Sequence, residues 1–279
     1  MDKDERQRML EAIKEFRLID DAFFNCCIDG DIPSMEDLLR GIYGNPTLTV
    51  KEMHTQEEVP NIFGRSVRFD VFAKDVNDRE YNVEVQRSDE GADARRARFN
   101  ACLMDTMNVG RGTKWKDLPP SDVVFIVEHD VFGAGLPIYH VERTVRELGG
   151  KRFEDEARII YVNAQVQDDT PLGRLMHDMF CKNPDDMYSK RLADRVRFFK
   201  SSEHGVAKMC EIMEKIQNEG IAIGRAEGKA EGRIEGRAEG EARFGSLVGM
   251  LMSAGKSDDI VRAISDSAYR SQLYEKYHI

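Results

Sequence analysis

The sequence predicts a mixed α/β protein: a sheet flanked by helices, with a helical C-terminal extension. Three observations carry that expectation. Two period-two segments on either side of a polar turn read as a β-hairpin. Further short apolar runs read as buried strands, and segments with a 3.6-residue apolar period lie before and after them. The chain has 279 residues, 41% hydrophobic and 33% charged, which suits one or two globular domains with a substantial core. The longest apolar run, Val123 to Val127, is far short of the ~20 residues of a membrane-spanning helix, so no membrane partner is expected. Met1 to Arg6 is charged and leads into no apolar signal core, and the five cysteines show no CxxC spacing. Neither a disulfide framework nor a zinc site is indicated, and a reducing cytoplasm is the expected compartment. Net charge is −10, from 41 basic and 51 acidic residues, so any contact with a polyanion must come from a local basic patch.

In order along the chain, residues 1–25 read as one helix, with Met9, Ala12, Ile13 and Phe16 near a 3.6 period. Ser34 with Asp37 resembles a capping box before Met35, Leu38, Leu39, Ile42 and Tyr43, and Gly44-Asn45-Pro46 stops that helix. Val67, Phe69, Val71 and Ala73 alternate with Arg68, Asp70, Phe72 and Lys74 to form the first hairpin arm. Tyr81, Val83 and Val85 alternate with Asn82, Glu84 and Gln86 to form the second. A basic helix follows from about Ala92 to Met107, with Phe99, Cys102, Leu103 and Thr106 as its inner stripe. Asp122 to Glu128 reads as a central strand, Leu136 to Glu142 and Ala157 to Ala164 as two more, and residues 171–217 as helical. The organisation expected is a sheet domain over 1–202, a helical segment over 203–245 and a small helical segment over 246–279.

From Gly220 the composition changes. Glycine recurs at 220, 224, 228, 232, 236 and 240, with basic residues at 225, 229, 233 and 237 and Glu at 227, 231, 235 and 239. Six glycines at roughly 1 kcal/mol each and like charges at i,i+4 make a poor helix in isolation. Two readings stand: a solvated linker, or a helix rescued by a close partner through residues 219–243, making a homo-oligomer.

The hairpin is where chemistry is expected. Asp70 and Glu84 are symmetric about Asn77, so a hairpin centred there sets them directly opposite one another. They would share a face with Arg68, Asn82 and Gln86, leaving Phe69, Val71, Val83 and Val85 to the other. Opposed like charges call for a cation between them. It is either a hard divalent ion, for which oxygen ligands suit Mg²⁺, or Arg68 neutralising Asp70 while Glu84 faces solvent. The six histidines show no ligand pairing, and Gly110 to Lys114 lacks the phosphate-loop spacing.

Several stretches in order then carry a resemblance: Leu18-Ile19-Asp20-Asp21-Ala22-Phe23-Phe24, Val67-Arg68-Phe69-Asp70-Val71, Tyr81-Asn82-Val83-Glu84-Val85-Gln86, Asp130-Val131-Phe132-Gly133, Ile138-Tyr139, Tyr161-Val162-Asn163 and the Gly-x-x-x repeat. Over roughly residues 16–245 the chain resembles the PD-(D/E)XK nuclease family transposases, relatives of the recombination-promoting nucleases. The resemblance implies a restriction-endonuclease-like core, a bacterial source and Mg²⁺-dependent hydrolysis of DNA, with Mn²⁺ as a substitute. It implies that Asp70 and Glu84 hold the ion with the Val85 carbonyl, and that Asp21 is the acid on the first helix. Gln86 stands where the superfamily has lysine, as is common in the narrower family. A neutral amide neither acts as a base nor stabilises charge as an ammonium does, but it can hold a water. Arg95 and Arg96, leaving the sheet beside the carboxylates, are the expected DNA contacts. The other function expected of such a chain is that of a weakly active or inactive nuclease-fold protein acting through assembly by its repeat.

Overall fold

The structure is a computed structural model describing residues 3–59 and 67–279. It forms two compact units, Met1–Met213 and Glu214–Ile279. The first begins with α1 (Lys3–Glu15), α2 (Asp21–Ile28) and α3 (Ile32–Tyr43). The single helix expected over 1–25 is therefore two helices, and its first two positions lie outside the described residues. The break has a cause. The backbone N–H of Arg17 donates to Asp20 Oδ2 (2.8 Å), and Asp20 takes an extended conformation at the head of α2. Asp31 caps α3 by accepting from the Ser34 N–H, so the capping residue lies three positions before the one expected. Gly44 closes α3 in the left-handed region at φ 59°.

Three strands follow: β1 (Val50–Val59), β2 (Val67–Asp75) and β3 (Glu80–Gln86). Next come α4 (Ala94–Asn108), β4 (Ser121–Val127), β5 (Ile138–Val141) and the short pair β6 (Thr144–Val145) and β7 (Lys151–Arg152), then β8 (Ala157–Asn163). Helices α5 (Pro171–Phe180), α6 (Lys190–Ser201) and α7 (Glu203–Ser253) complete this part of the order. Among the described residues the main sheet has six strands in the order β1-β2-β3-β4-β8-β5. Strands β1 to β3 run antiparallel, β3, β4 and β8 parallel, and β5 antiparallel to β8. The hairpin register matches the sequence arithmetic, with Val71 opposite Val83 and Phe72 opposite Asn82. Its turn is built on Asp75, which accepts from the N–H groups of Asn77 and Arg79 and from the Tyr81 hydroxyl.

Two apolar layers sandwich the sheet. On one face Val71, Ala73, Val83, Val85, Val124, Ile126, Ile160 and Val162 meet α2, α3, α5, α6 and the first turns of α7. On the other, Phe72, Val123, Phe125 and Tyr161 meet Ala97, Ala101, Leu103 and Met104 of α4. Phe69 lies in this second layer rather than with Val71 as expected. Gln56, between the paired residues Thr55 and Glu57, takes a φ of 53°, which breaks the regular alternation just where Asp70 stands. The inner stripe of α4 also differs from the expected one. Its buried residues are Ala97, Asn100, Ala101, Leu103 and Met104, with Phe99 and Cys102 exposed. Small alanines let the helix lie close to the sheet.

The second unit contains the remainder of α7, α8 (Ser257–Ser265) and α9 (Ser267–Tyr277), packed around Leu247, Leu251, Ala263 and Leu273. The glycine repeat is helical throughout. No described helix is long and apolar enough to cross a membrane.

Candidate functional site

The carboxylates of the hairpin are deeply placed: Asp70 is 7% exposed and Glu84 0%. Asp70 Oδ2 accepts the Val85 N–H at 3.3 Å, so the backbone of β3 reaches across to the acid of β2. Asp21 joins them from the first turn of α2. Its position is fixed by an ion network in which Arg87 pairs with both Asp20 (3.1 Å) and Glu128 (2.9 Å), and Arg17 pairs with Glu128 (3.4 Å). Those pairs tie the head of α2 to the residues just past the C-terminal ends of β3 and β4. The Asp21 carboxyl is hydrogen-bonded to Asp70, and its Oδ1 accepts from Asn25 Nδ2 (2.5 Å).

Three acids in one place change each other's ionisation. Burial pushes Asp70 up to about 8, with the charges of Glu84 and Asp21 adding to the rise and the Val85 N–H and Arg96 opposing it. Burial likewise raises Glu84, with Arg96 holding it back, and raises Asp21 against its hydrogen bond to Asp70 and the charge of Arg68.

The cation that meets Glu84 comes from α4. Arg96 Nη2 donates to Glu84 Oε2 at 2.7 Å, and Nη1 donates to Gln86 Oε1 (3.4 Å) and the Gly91 carbonyl (3.0 Å). One turn on, Asn100 Nδ2 donates to Glu84 Oε1 at 3.3 Å. The helix starts at Asp93, whose carboxylate accepts the Arg95 N–H at 2.7 Å. A Cβ at position 91 would lie 1.9 Å from Gln86 Oε1, so a larger residue there would displace the Gln86 amide. These residues border a cleft of about 1000 Å³ lined in part by Asp21, Arg68, Asp70, Gln86, Arg95 and Arg96. It opens at the C-terminal end of β3, the end of parallel strands where ligands of open α/β sheets bind.

Of the residues singled out in the sequence, the structure brings together Asp21, Asp70, Glu84, Gln86 and Arg96. The Val85 side chain is buried in the core while its N–H meets Asp70. Arg95 is exposed on the cleft wall. Arg96, expected to face DNA, instead reaches inward to Glu84, and Glu84 does not face solvent. Arg68, the alternative neutraliser of Asp70, lines the cleft and forms no ion pair with Asp70; its charge acts on Asp21 instead. Asn100 was not anticipated; its only sequence signal is the i,i+4 spacing from Arg96.

The donor set of Asp21, Asp70 and Glu84 is all carboxylate oxygen. Oxygen ligands suit a hard divalent ion such as Mg²⁺ or Mn²⁺ rather than zinc or copper, but the three carboxylates do not gather their oxygens within 4.8 Å of one another, and both oxygens of Glu84 already accept from Arg96 and Asn100. Elsewhere, His177, Asp178 and Cys181 bring ligand atoms within 4.8 Å of one another, a grouping the sequence spacing did not suggest. There Asp178 is already a structural staple. Its two oxygens accept the N–H groups of Tyr188 and Ser189, each at 2.8 Å, and join α5 to the start of α6. Comparison of the chain with family models, with curated proteins and with solved structures finds no match.

Proposed function

We propose that this protein is a Mg²⁺-dependent DNA endonuclease of the PD-(D/E)XK type, built on a restriction-endonuclease-like core and tied to transposition or recombination by its sequence resemblance. The observation that carries the reading is the approach of three acids from α2, β2 and β3: Asp21 and Asp70 line the cleft with Gln86 and Arg95, and Glu84 lies fully buried within reach of their charges. Asp70 and Glu84 would hold the ion, with Asp21 beside them. When bound, Mg²⁺ supplies Lewis-acid stabilisation of charge on the phosphate.

The chain's own groups have separable tasks. Asp70, raised to about 8 by burial and its acidic neighbours, would have to be ionised to hold a cation, since a protonated carboxyl is a poor ligand. Gln86 offers an amide that both donates and accepts, able to orient a water but not to deprotonate it. Arg68 and Arg95, both exposed at the cleft, attract a phosphate backbone that the net charge of −10 would otherwise repel.

Conversion of supercoiled plasmid to nicked and linear forms tests the reading. Wild type cleaves with Mg²⁺ and stops with EDTA, while Asp70→Ala and Glu84→Ala lose at least about a hundredfold, or ~2.7 kcal/mol of barrier lowering. Equal nicking by all three proteins removes the enzymatic claim.

A further inference from the structure

We infer that the outer face of α4 and the loop after it form a track for single-stranded DNA, with Trp115 stacking on an unpaired base at the end remote from the carboxylates. That the strand is DNA rests on the nuclease reading above. The inference goes beyond that reading by giving the substrate an unpaired segment and a place for that segment to lie.

The track begins at the cleft, which Arg95 and Phe99 line. From there α4 crosses the sheet against the direction of β3. Arg96, near its start, meets Gln86 at one end of that strand, and Asn108, its last residue, donates to Glu80 at the other end (2.8 Å). The 15 residues of α4 make a face about 22 Å long, at ~1.5 Å per residue. Along it Arg95, Arg98, Phe99, Cys102 and Thr106 recur at helical spacing and are exposed. Between Ala94 and Lys116 stand six basic residues and one acid. That acid, Asp105, is half-buried, with Arg143 acting on its charge.

The loop that follows turns its cations and its indole to solvent. Two turns hold its backbone. The Gly110 N–H donates to Thr113 Oγ1 (2.9 Å) around Gly112, which takes a φ of 91°, and the Asp117 N–H donates to the Lys114 carbonyl (2.8 Å). Neither turn uses the side chain of Arg111, Lys114, Trp115 or Lys116. Trp115 is 77% exposed, more than any other large apolar side chain among the described residues. Of the basic residues from α4 to this loop, Arg96 alone has an ion-pair partner among the described residues. Single-stranded DNA answers both features: its phosphates meet cations that have no partner, and its unpaired bases offer a face to an uncovered indole. A duplex offers its phosphates but keeps its bases stacked on one another. In a chain of net charge −10, a local run of cations is what such a contact requires.

Trp115 is the one tryptophan of the chain, so its emission reports on this loop alone. The full chain is titrated with oligothymidylate, with a duplex of the same length and with phosphatidylserine vesicles, all in EDTA so that no cleavage intervenes. Oligothymidylate should quench the emission, and the duplex should bind at least about fivefold more weakly. Anisotropy of a labelled oligothymidylate then compares variants, whose altered side chains are all exposed. Trp115→Ala should weaken binding by about five- to a hundredfold, with Trp115→Phe retaining part of the affinity. Lys114→Gln/Lys116→Gln should lower the slope of log affinity against log salt by about 1.4, two phosphate contacts at ~0.7 each, whereas Trp115→Ala leaves that slope unchanged. No quenching by oligothymidylate, equal binding by Trp115→Ala, duplex bound as tightly as the single strand, or quenching by vesicles alone overturns the inference. Plasmid cleavage without Trp115-dependent binding removes the track and leaves the nuclease reading. Trp115-dependent binding by a wild type that does not cleave removes the nuclease reading and supports the track.

Discussion

At the scale of single residues, the site is governed by how many carboxylates the fold gathers around how few cations. Asp70 in an unfolded chain titrates near 3.9, but in the folded chain burial and its acidic neighbours move it to about 8. The folded state thus binds the extra proton between those values. Its contribution to stability is complete below pH ~4 and is lost as pH rises through about 8. Without metal, thermal stability should fall from pH 5 to pH 8. Asp70→Asn should flatten that dependence and raise the melting temperature at pH 8 by at least about 3 °C, a unit of this size moving about 2–4 °C per kcal/mol. A wild-type profile that rises over the same interval contradicts the assignment. The hairpin register was legible in the sequence, since arithmetic about Asn77 sets Val71 opposite Val83 and Phe72 opposite Asn82, although the pairing ends there, one residue short of Asp70 and Glu84. The partner of Glu84 was not. Whether Arg96 points into the sheet or out to solvent depends on the rotation of α4 about its axis, which is set by Ala97, Ala101 and Met104 packing on Phe125 and its neighbours.

At the scale of elements, strong apolar periodicity was read correctly and weak periodicity was missed. Strand β4 is buried along its whole length and announces itself as a continuous apolar run. Strand β1 does not, because it is an edge strand with Lys51, Glu52, His54, Gln56 and Glu58 along its polar sequence. Such charges protect an edge from unwanted pairing, and the pleat they follow is therefore hydrophilic. The helix predicted over 1–25 failed for a related reason: the apolar period continues through Phe16 and Ile19, and only the local bonding of Asp20 to the Arg17 N–H breaks the helix. Asp122 gives a test of how the elements are held. Fully buried on β4, it accepts from Tyr43 of α3, Arg79 of the hairpin turn and Arg158 of β8. Asp122→Ala leaves two arginines facing a void and should cost about 3–5 kcal/mol, read as a lowered urea midpoint with an unchanged slope. A loss below ~1 kcal/mol would mean that these contacts do not bind the elements together.

At the scale of the whole molecule, the change of composition at Gly220 was visible in the sequence, and the helical state of the repeat was one of two readings left open. The first unit runs to Met213 because Val206, Met209, Cys210 and Met213, at the start of α7, still pack on its core. Helix α2 and strand β2 bring Asp21 and Asp70 to one cleft, with Glu84 of β3 buried within reach of their charges, and this approach is the basis of the proposed activity. The direct measurement is Mn²⁺ binding to the full chain at pH 8, compared among wild type, Asp70→Asn, Glu84→Gln and His177→Ala. The account predicts one ion bound by wild type and by His177→Ala, with affinity at least about tenfold weaker in each of the other two variants. Equal binding by all four proteins, or a loss confined to His177→Ala, would contradict it.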